Sequence, residues 1–219
     1  MTWAERARLA ERRYEAGDAR LPDEPDARQK QLVRMAMAAG AAGLAHRMGG
    51  RDDAATEWLI RSAERYRESW VGAPPESWGR AIGALKSRVL AGDRRGAAED
   101  ARWTLSEGAS SAESPIARYA AALAQLVLGE DDEASRTAAS LAAEPTAFPR
   151  DVADALAALS ARDGVRYEAA TRAVLGSFET RDGYLEDVPV ADTVLVLEAL
   201  AAQRGFAAGF ESPLLPSSS

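Results

Sequence analysis

Residues 117–143, ARYAAALAQLVLGEDDEASRTAASLAA, decide the architecture. They read as two helices, ARYAAALAQLVL and DEASRTAASLAA, meeting at the tight turn Gly129-Glu130-Asp131. Alanine and leucine dominate both segments, and these are among the strongest helix formers. Glycine directly after the first segment takes the left-handed conformation without a Cβ penalty and ends that helix cleanly. The acidic residue beside it is placed to accept from the free N–H groups of the next helix.

Three other places repeat this turn. With Gly50, Gly92, Gly129 and Gly164 as anchors, an alanine follows five residues on each time: Ala55, Ala97, Ala134 and Ala169. Nine residues past the last three anchors stand Ala101, Ala138 and Ala173. The anchors are 42, 37 and 35 residues apart, the spacing of a helical-hairpin repeat. Alanine one turn into the second helix lets two backbones approach closely, so these positions are expected at hairpin interfaces. Asp52, Asp93 and Asp131 are expected to cap the second helices.

Gly-Asp turns followed by alanine at this offset resemble the tetratricopeptide family of repeats. The likeness rests on the turn and the small residues, not on that family's first-helix Trp/Leu/Gly/Tyr signature. The expected fold class is therefore all-α, with antiparallel helical hairpins stacked as a short tetratricopeptide-like α-solenoid. Residues 1–216 are expected to form one helical repeat domain. N-terminal helices fill 1–48, repeat hairpins 50–180, and a capping helix with an extended segment 190–216. Residues 217–219 are expected to be a frayed tail.

Composition agrees. Nearly half of the 219 residues are apolar while aromatic residues make only 6%, so alanine carries the core. β-Branched residues never alternate over a useful length. The chain has no cysteine and a single histidine, His46, which removes thiolate metal sites and most zinc sites. Neither a metal site nor a cofactor is expected. Of the 27 basic residues only Lys30 and Lys86 are lysine, a composition that a GC-rich genome favours. The net charge of −7 argues against general nucleic-acid binding. No apolar run is long enough to span a bilayer, and residues 1–17 do not read as a signal peptide, so a cytoplasmic protein is expected.

Along the chain, Thr2-Trp3-Ala4-Glu5 has capping-box spacing and opens a helix ending near Gly17. A helix from Pro25 to Met48 carries Gly40 and Gly43, which either kink it or seat a close neighbour. His46, near its end, is expected to cap the helix or face solvent. Trp70 and Trp78 flank the turn VGAPPE and are expected to staple two helices, with Pro75 at the first helical position. The link EPTAFP, residues 144–149, is expected to be anchored by Phe148. Val190–Gln203 is apolar nearly all round and should be buried on more than one side. The apolar residues after it, Phe206, Phe210, Leu214 and Leu215, should pack on its bare end rather than form a free tail.

The C-terminal stretch carries a second likeness. YEAATRAVLGSFETRDGYL, a helix ending LEALAAQRGF, and then ESPLLP are similar to the closing part of the polymorphic-toxin immunity family numbered forty-nine. Gly205, Ser212, Leu215 and Pro216 fall on the matching positions, and the likeness covers about residues 76–216. The resemblance implies a non-enzymatic helical protein that binds and neutralises a cognate toxin.

No motif names a reaction: GxxxxGK[ST], HExxH and G-x-S-x-G are all absent. The densest acidic group is Glu179, Asp182, Glu186, Asp187 and Asp192, with Asp192 placed to cap the next helix. Within it, Asp182, Tyr184, Glu186 and Asp187 mix charge with an aromatic anchor and form the candidate partner-binding site. The expected function is a protein-interaction scaffold, not an enzyme, whose partner is a protein, a basic toxin in the sharpest version. The alternative is a regulatory or structural protein holding a small ligand in the solenoid groove. An enzyme would require a cleft with mutually close carboxylates of raised pKa.

Overall fold

The Gly129 hairpin forms as its residues dictate in the computed structural model, which describes residues 1–143 and 148–217. Helix α6 (Pro115–Leu128) ends at Gly129, which adopts φ 77° and ψ 17°. Glu130 N–H then donates to the Gln125 carbonyl at 2.9 Å, the six-to-one bond that closes a left-handed helix terminus. Helix α7 (Asp131–Ala142) follows at once, with Ala134 and Ala138 fully buried.

The described residues hold ten α-helices and no strand, an all-α architecture whose helices pack on their chain neighbours within each compact unit. The others are α1 (Trp3–Asp18), α2 (Pro25–Met48), α3 (Asp52–Trp70), α4 (Gly79–Ala91) and α5 (Arg94–Ser106). Then come α8 (Arg150–Ser160), α9 (Gly164–Glu179) and α10 (Asp192–Arg204). The chain divides into two compact units. One contains residues 1–93, 181–190 and 211–219, the other residues 94–180 and 191–210. Of the link 144–149, residues 144–147 lie outside the described residues, as do 218 and 219 of the tail; Phe148 is buried against Tyr119, ring centroids 5.2 Å apart.

In the first unit α1 packs on α2, α2 on α3 and α3 on α4. The Thr2–Glu5 capping box forms with both bonds present. Helix α2 is unbroken, and its glycines seat neighbours. A Cβ on Gly43 would lie 2.6 Å from Leu59 Cγ and 3.1 Å from Leu59 N, so α3 sits against bare backbone there. Ser62 of α3 donates to the Ala36 carbonyl at 2.8 Å, and Ser87 of α4 donates to Ser62 at 3.1 Å. Arg80 of α4 reaches the Gln29 side chain and the Ser69 carbonyl, tying three helices. Trp70 and Trp78 pack with ring centroids 5.2 Å apart, as a staple. Pro75, however, lies in the turn, because α4 begins only at Gly79.

His46 differs from its expected role. It is buried, with Nε2 2.6 Å from Glu11 Oε1 and Nδ1 accepting from Arg51 Nε at 2.8 Å. The Arg51 donor fixes the tautomer: Nδ1 keeps its lone pair, so Nε2 carries the proton given to Glu11. The imidazole therefore bridges α1 to the α2–α3 turn instead of facing solvent.

In the second unit α5 through α9 pack in sequence, and α10 lies against both α8 and α9. Val194, Val196, Leu197 and Leu200 of α10 are buried, the two-sided burial that its apolar character requires. Phe206 leaves α10 and packs edge-on against Tyr167 of α9, ring centroids 5.5 Å apart. Phe210 lies under Arg172 of the same helix, 5.2 Å from guanidinium carbon to ring centroid. Residues 206–210 thus fold back on α9 and also on Glu198 of α10, which accepts from the Ala208 and Gly209 N–H groups. Leu215 is buried within the first unit.

The last hairpin holds a correction. Gly164 is the first residue of α9 and not a left-handed cap, and Ala169 and Ala173 are exposed. The left-handed position belongs to Arg162, φ 55°, and Asp163 N–H donates to the Ala158 carbonyl at 3.0 Å. That is the bond Gly129 makes possible one hairpin earlier. Counting from Arg162, the fifth and ninth residues are Tyr167 and Thr171, both fully buried. Counted the same way, Gly50 gives Ala55 and Leu59, Gly92 gives Ala97 and Ala101, and Gly129 gives Ala134 and Ala138, all buried. The period is intact, and its last copy sits two residues earlier with larger side chains. Ala134→Leu should therefore lower stability by about 2 kcal/mol through overpacking, while Ala169→Leu should leave the melting temperature unchanged. Equal melting of the two variants would refute this register.

The capping expectation also needs revision. Asp52 and Asp131 occupy the first helical position and cap nothing through their side chains. Asp93 pairs with Arg88 at 2.8 Å, and Asp131 pairs with Arg162 and Arg204. Asp163, an acidic residue in the turn of the displaced copy, does cap its helix, accepting from Arg166 N–H at 3.1 Å.

Candidate functional site

The loop 181–190 starts where α9 stops at Glu179 and belongs to the first unit. Gly183 and Pro189 prevent a helix from running through it. Its centre is a single 3-10 turn, Leu185–Asp187, closed by Asp187 N–H to the Tyr184 carbonyl and Val188 N–H to the Leu185 carbonyl, both 3.1 Å. Glu186 and Asp187 both have positive φ, 53° and 59°. Two successive non-glycine residues in that region cost roughly 1–2 kcal/mol each, so something must hold them.

Helix α1 does so. Arg13 Nη1 lies 2.9 Å from Glu186 Oε2, and Arg13 Nη2 lies 4.0 Å from Asp187 Oδ2. Arg6 donates to the Asp187 carbonyl. Below the turn Val188 and Val190 are buried. The expected site residues thus separate by role. Glu186 is half-buried and committed to Arg13, so its charge is already answered. Asp182 and Asp187 are exposed, Tyr184 is half-buried, and Leu185 presents 60% of its surface to solvent. Glu179 is exposed on the last turn of α9. Asp192 is the first residue of α10 and accepts from a first-turn backbone group of that helix, Thr193 N–H, at 2.8 Å.

The same unit contains a cleft of about 470 Å³ between α1 and α2, into which Glu186 also projects. Leu9, Ala16, Gly17, Met35 and Ala38 give it an apolar floor, and Arg12, Arg13, Arg20 and Arg34 surround that floor. Gly17 sits where α1 comes closest, since a Cβ there would meet Gln31 Nε2 at 2.6 Å and Met35 Cγ at 2.8 Å. Sequence reasoning missed this basic cleft. The sequence shows only that Arg12 and Arg13 stand on α1 and Arg20 just past its end; that they meet Arg34 at a cleft depends on how α1 packs on α2.

A second concavity of about 500 Å³ lies in the other unit, at the α6–α7 and α8–α9 turns, lined by Glu130, Asp131, Asp132, Glu133 and Arg162. Asp131 is committed within it. Burial opposes its ionisation, but hydrogen bonds from Arg204 and Arg162 outweigh burial and hold its carboxyl below the usual range. Among the described residues no group of three or more His, Asp or Glu side chains is arranged to hold a metal ion, and no helix is long and apolar enough to cross a membrane. Comparison with protein-family models, with curated proteins and with solved structures returned no match.

Proposed function

We propose that this chain is a non-enzymatic protein-interaction scaffold that engages a protein partner through Asp182, Tyr184, Leu185 and Asp187. One observation carries the reading. A strained turn with two successive left-handed residues is held in place by Arg6 and Arg13 while Leu185 stays largely exposed. Strained backbone persists only where its surroundings over-determine it, and such places cluster at ligand clamps and binding loops. Preorganising the loop lowers the ordering cost of association. An apolar and an aromatic residue between exposed carboxylates then give an anchor with a polar rim.

The finer reading is an immunity protein whose partner is a basic toxin. The net charge of −7 and the exposed carboxylates of the loop favour a basic partner, and such complementarity raises association rates more than affinity. The C-terminal likeness to the toxin-immunity family points the same way.

Recovery of a partner on immobilised wild-type chain should fail with Leu185→Asp and weaken with Tyr184→Ala. Helicity and melting should not change, because both side chains project from a loop. Recovery should also weaken as salt rises. Reversing Asp182 to lysine is the better charge test, since Glu186→Lys or Asp187→Lys would set a cation against Arg13. A partner retained in full by Leu185→Asp would refute the loop as the interface. A partner that harms bacteria when expressed alone, and is silenced by co-expression of this chain, would establish the immunity reading.

A further inference from the structure

Several arginines of the first unit answer a carboxylate. Arg28 pairs with Glu68, Arg61 with Glu57, and Arg65 with both Asp18 and Glu68. Around the α1–α2 cleft three others do not. Among the described residues, Arg12, Arg20 and Arg34 have no carboxylate in ion-pair range; Arg20, just past the end of α1, donates to the Ala16 carbonyl and Arg34 to the Gln31 side chain. Only Arg13 is paired, with Glu186, the one carboxylate that lines the cleft. In a chain of net charge −7, three uncompensated guanidinium groups and a fourth held by an intramolecular acid thus converge on one concavity. Their mutual repulsion disfavours the empty state, and an anion between them would relieve it.

The volume of about 470 Å³ suits a small molecule, not a single ion. Its floor, with Leu9 and the buried Met35, offers an apolar body a place to lie. Guanidinium forks bind phosphate oxygens in pairs, and a phosphoryl group concentrates about two negative charges in a compact volume. We infer that the α1–α2 cleft binds a phosphorylated small molecule, its phosphoryl groups held by Arg12, Arg20 and Arg34 and its apolar part against Leu9 and Met35. Glu186 occupies the edge of the site in the absence of that ligand. The site is independent of the partner reading, since Arg12, Arg20 and Arg34 lie outside the loop.

Titration calorimetry on the full chain at low ionic strength tests this, with ADP, pyrophosphate, inorganic phosphate and citrate as probes. ADP should bind more tightly than pyrophosphate, and pyrophosphate more tightly than phosphate or citrate. Arg12→Gln and Arg34→Gln should each weaken ADP binding about tenfold, the effect of losing a hydrogen bond to a charged group. Both side chains are exposed, so folding is unaffected and melting serves as the check. Glu186→Gln should tighten binding a few-fold by removing the internal competitor. Arg95→Gln, an exposed position in the other unit, should change nothing. The inference is overturned if no phosphorylated probe binds, if citrate binds as well as pyrophosphate, or if ADP binds no better than pyrophosphate. It is equally overturned if the Arg12/Arg34 double variant keeps parental affinity, or if Arg95→Gln loses as much as either.

Discussion

Tyr167→Ala should destabilise the protein by about 4 kcal/mol, within the range for emptying a fully buried aromatic site. Tyr167 has no exposed surface and stands where the other hairpins place alanine, so α9 is built around its ring. Two interactions end in the variant and a cavity opens. The edge-on contact with Phe206 is lost, the cavity cannot be refilled from the helix itself, and Glu198 loses the phenol that donates to it at 2.6 Å. Glu198 also accepts from the Ala208 and Gly209 N–H groups, at 3.2 and 2.7 Å, so the folded-back segment loosens with it. Tyr167→Phe keeps the ring and removes only the donor, and should cost about 1–2 kcal/mol. Burial first, and then the Glu198 carboxylate, push the phenol far above its ordinary value. A raised value in the folded state gives stability that is complete below about pH 10, the unfolded tyrosine value, and erodes as pH rises beyond it. Tyr167→Phe should accordingly lose part of the alkaline slope of stability. Chemical denaturation of the three proteins as a function of pH measures both effects. A Tyr167→Ala variant within 1 kcal/mol of the parent would mean that the displaced register of the last hairpin is wrong.

Arg204→Ala should cost about 3 kcal/mol, as expected when one partner is taken from a buried ion pair. Arg204 is only 5% exposed at its side chain. Its Nη2 donates to the Leu126 carbonyl at 2.8 Å, its Nε lies 3.1 Å from Asp131 Oδ1, and its Nη1 reaches its own helix at the Leu200 carbonyl. One guanidinium therefore joins the end of α10 to the left-handed end of α6 and the start of α7. Removing it strands a carbonyl at a helix terminus and leaves Asp131 with the exposed Arg162 alone. Arg204→Lys should recover little, since a point charge cannot serve a carboxylate and a carbonyl in two directions. Combined with Asp131→Asn, the two losses should be less than additive, because they remove the same interaction. The lowered carboxyl value of Asp131 sets the pH window. Its contribution is present above about pH 4, the unfolded aspartate value, and fades as pH falls towards the folded one. Arg204→Ala should then flatten the acid limb of a stability profile. A melting curve that matches the parent would place this pair with the exposed ones, which contribute little.

Much of the architecture was legible because it is local. The Thr2–Glu5 box, the Gly129 terminus and the buried alanines five residues past Gly50, Gly92 and Gly129 all depend on residues within about two helical turns. Spacing in the chain therefore stands in for spacing in space. The same rule failed at the last hairpin. Glycine is the usual left-handed residue but not the only one permitted, and Arg162 takes that role while Gly164 opens the next helix. Counting from the wrong anchor turned Ala169 and Ala173 inward on paper, whereas the fold buries Tyr167 and Thr171. What the sequence determined by itself was a set of alanine-lined helical hairpins and an acidic loop at 181–190. The tertiary structure alone decided which charges answer one another. Arg13 and Glu186 are 173 residues apart, and Asp131 and Arg204 are 73. A composition with many arginines and acids is compatible with very many pairings, and only the packing of α1, α2 and α10 chooses among them. The same packing leaves Arg12, Arg20 and Arg34 around a cleft without a carboxylate of their own. No local pattern could reveal that, because a missing partner becomes visible only when every neighbour has a place.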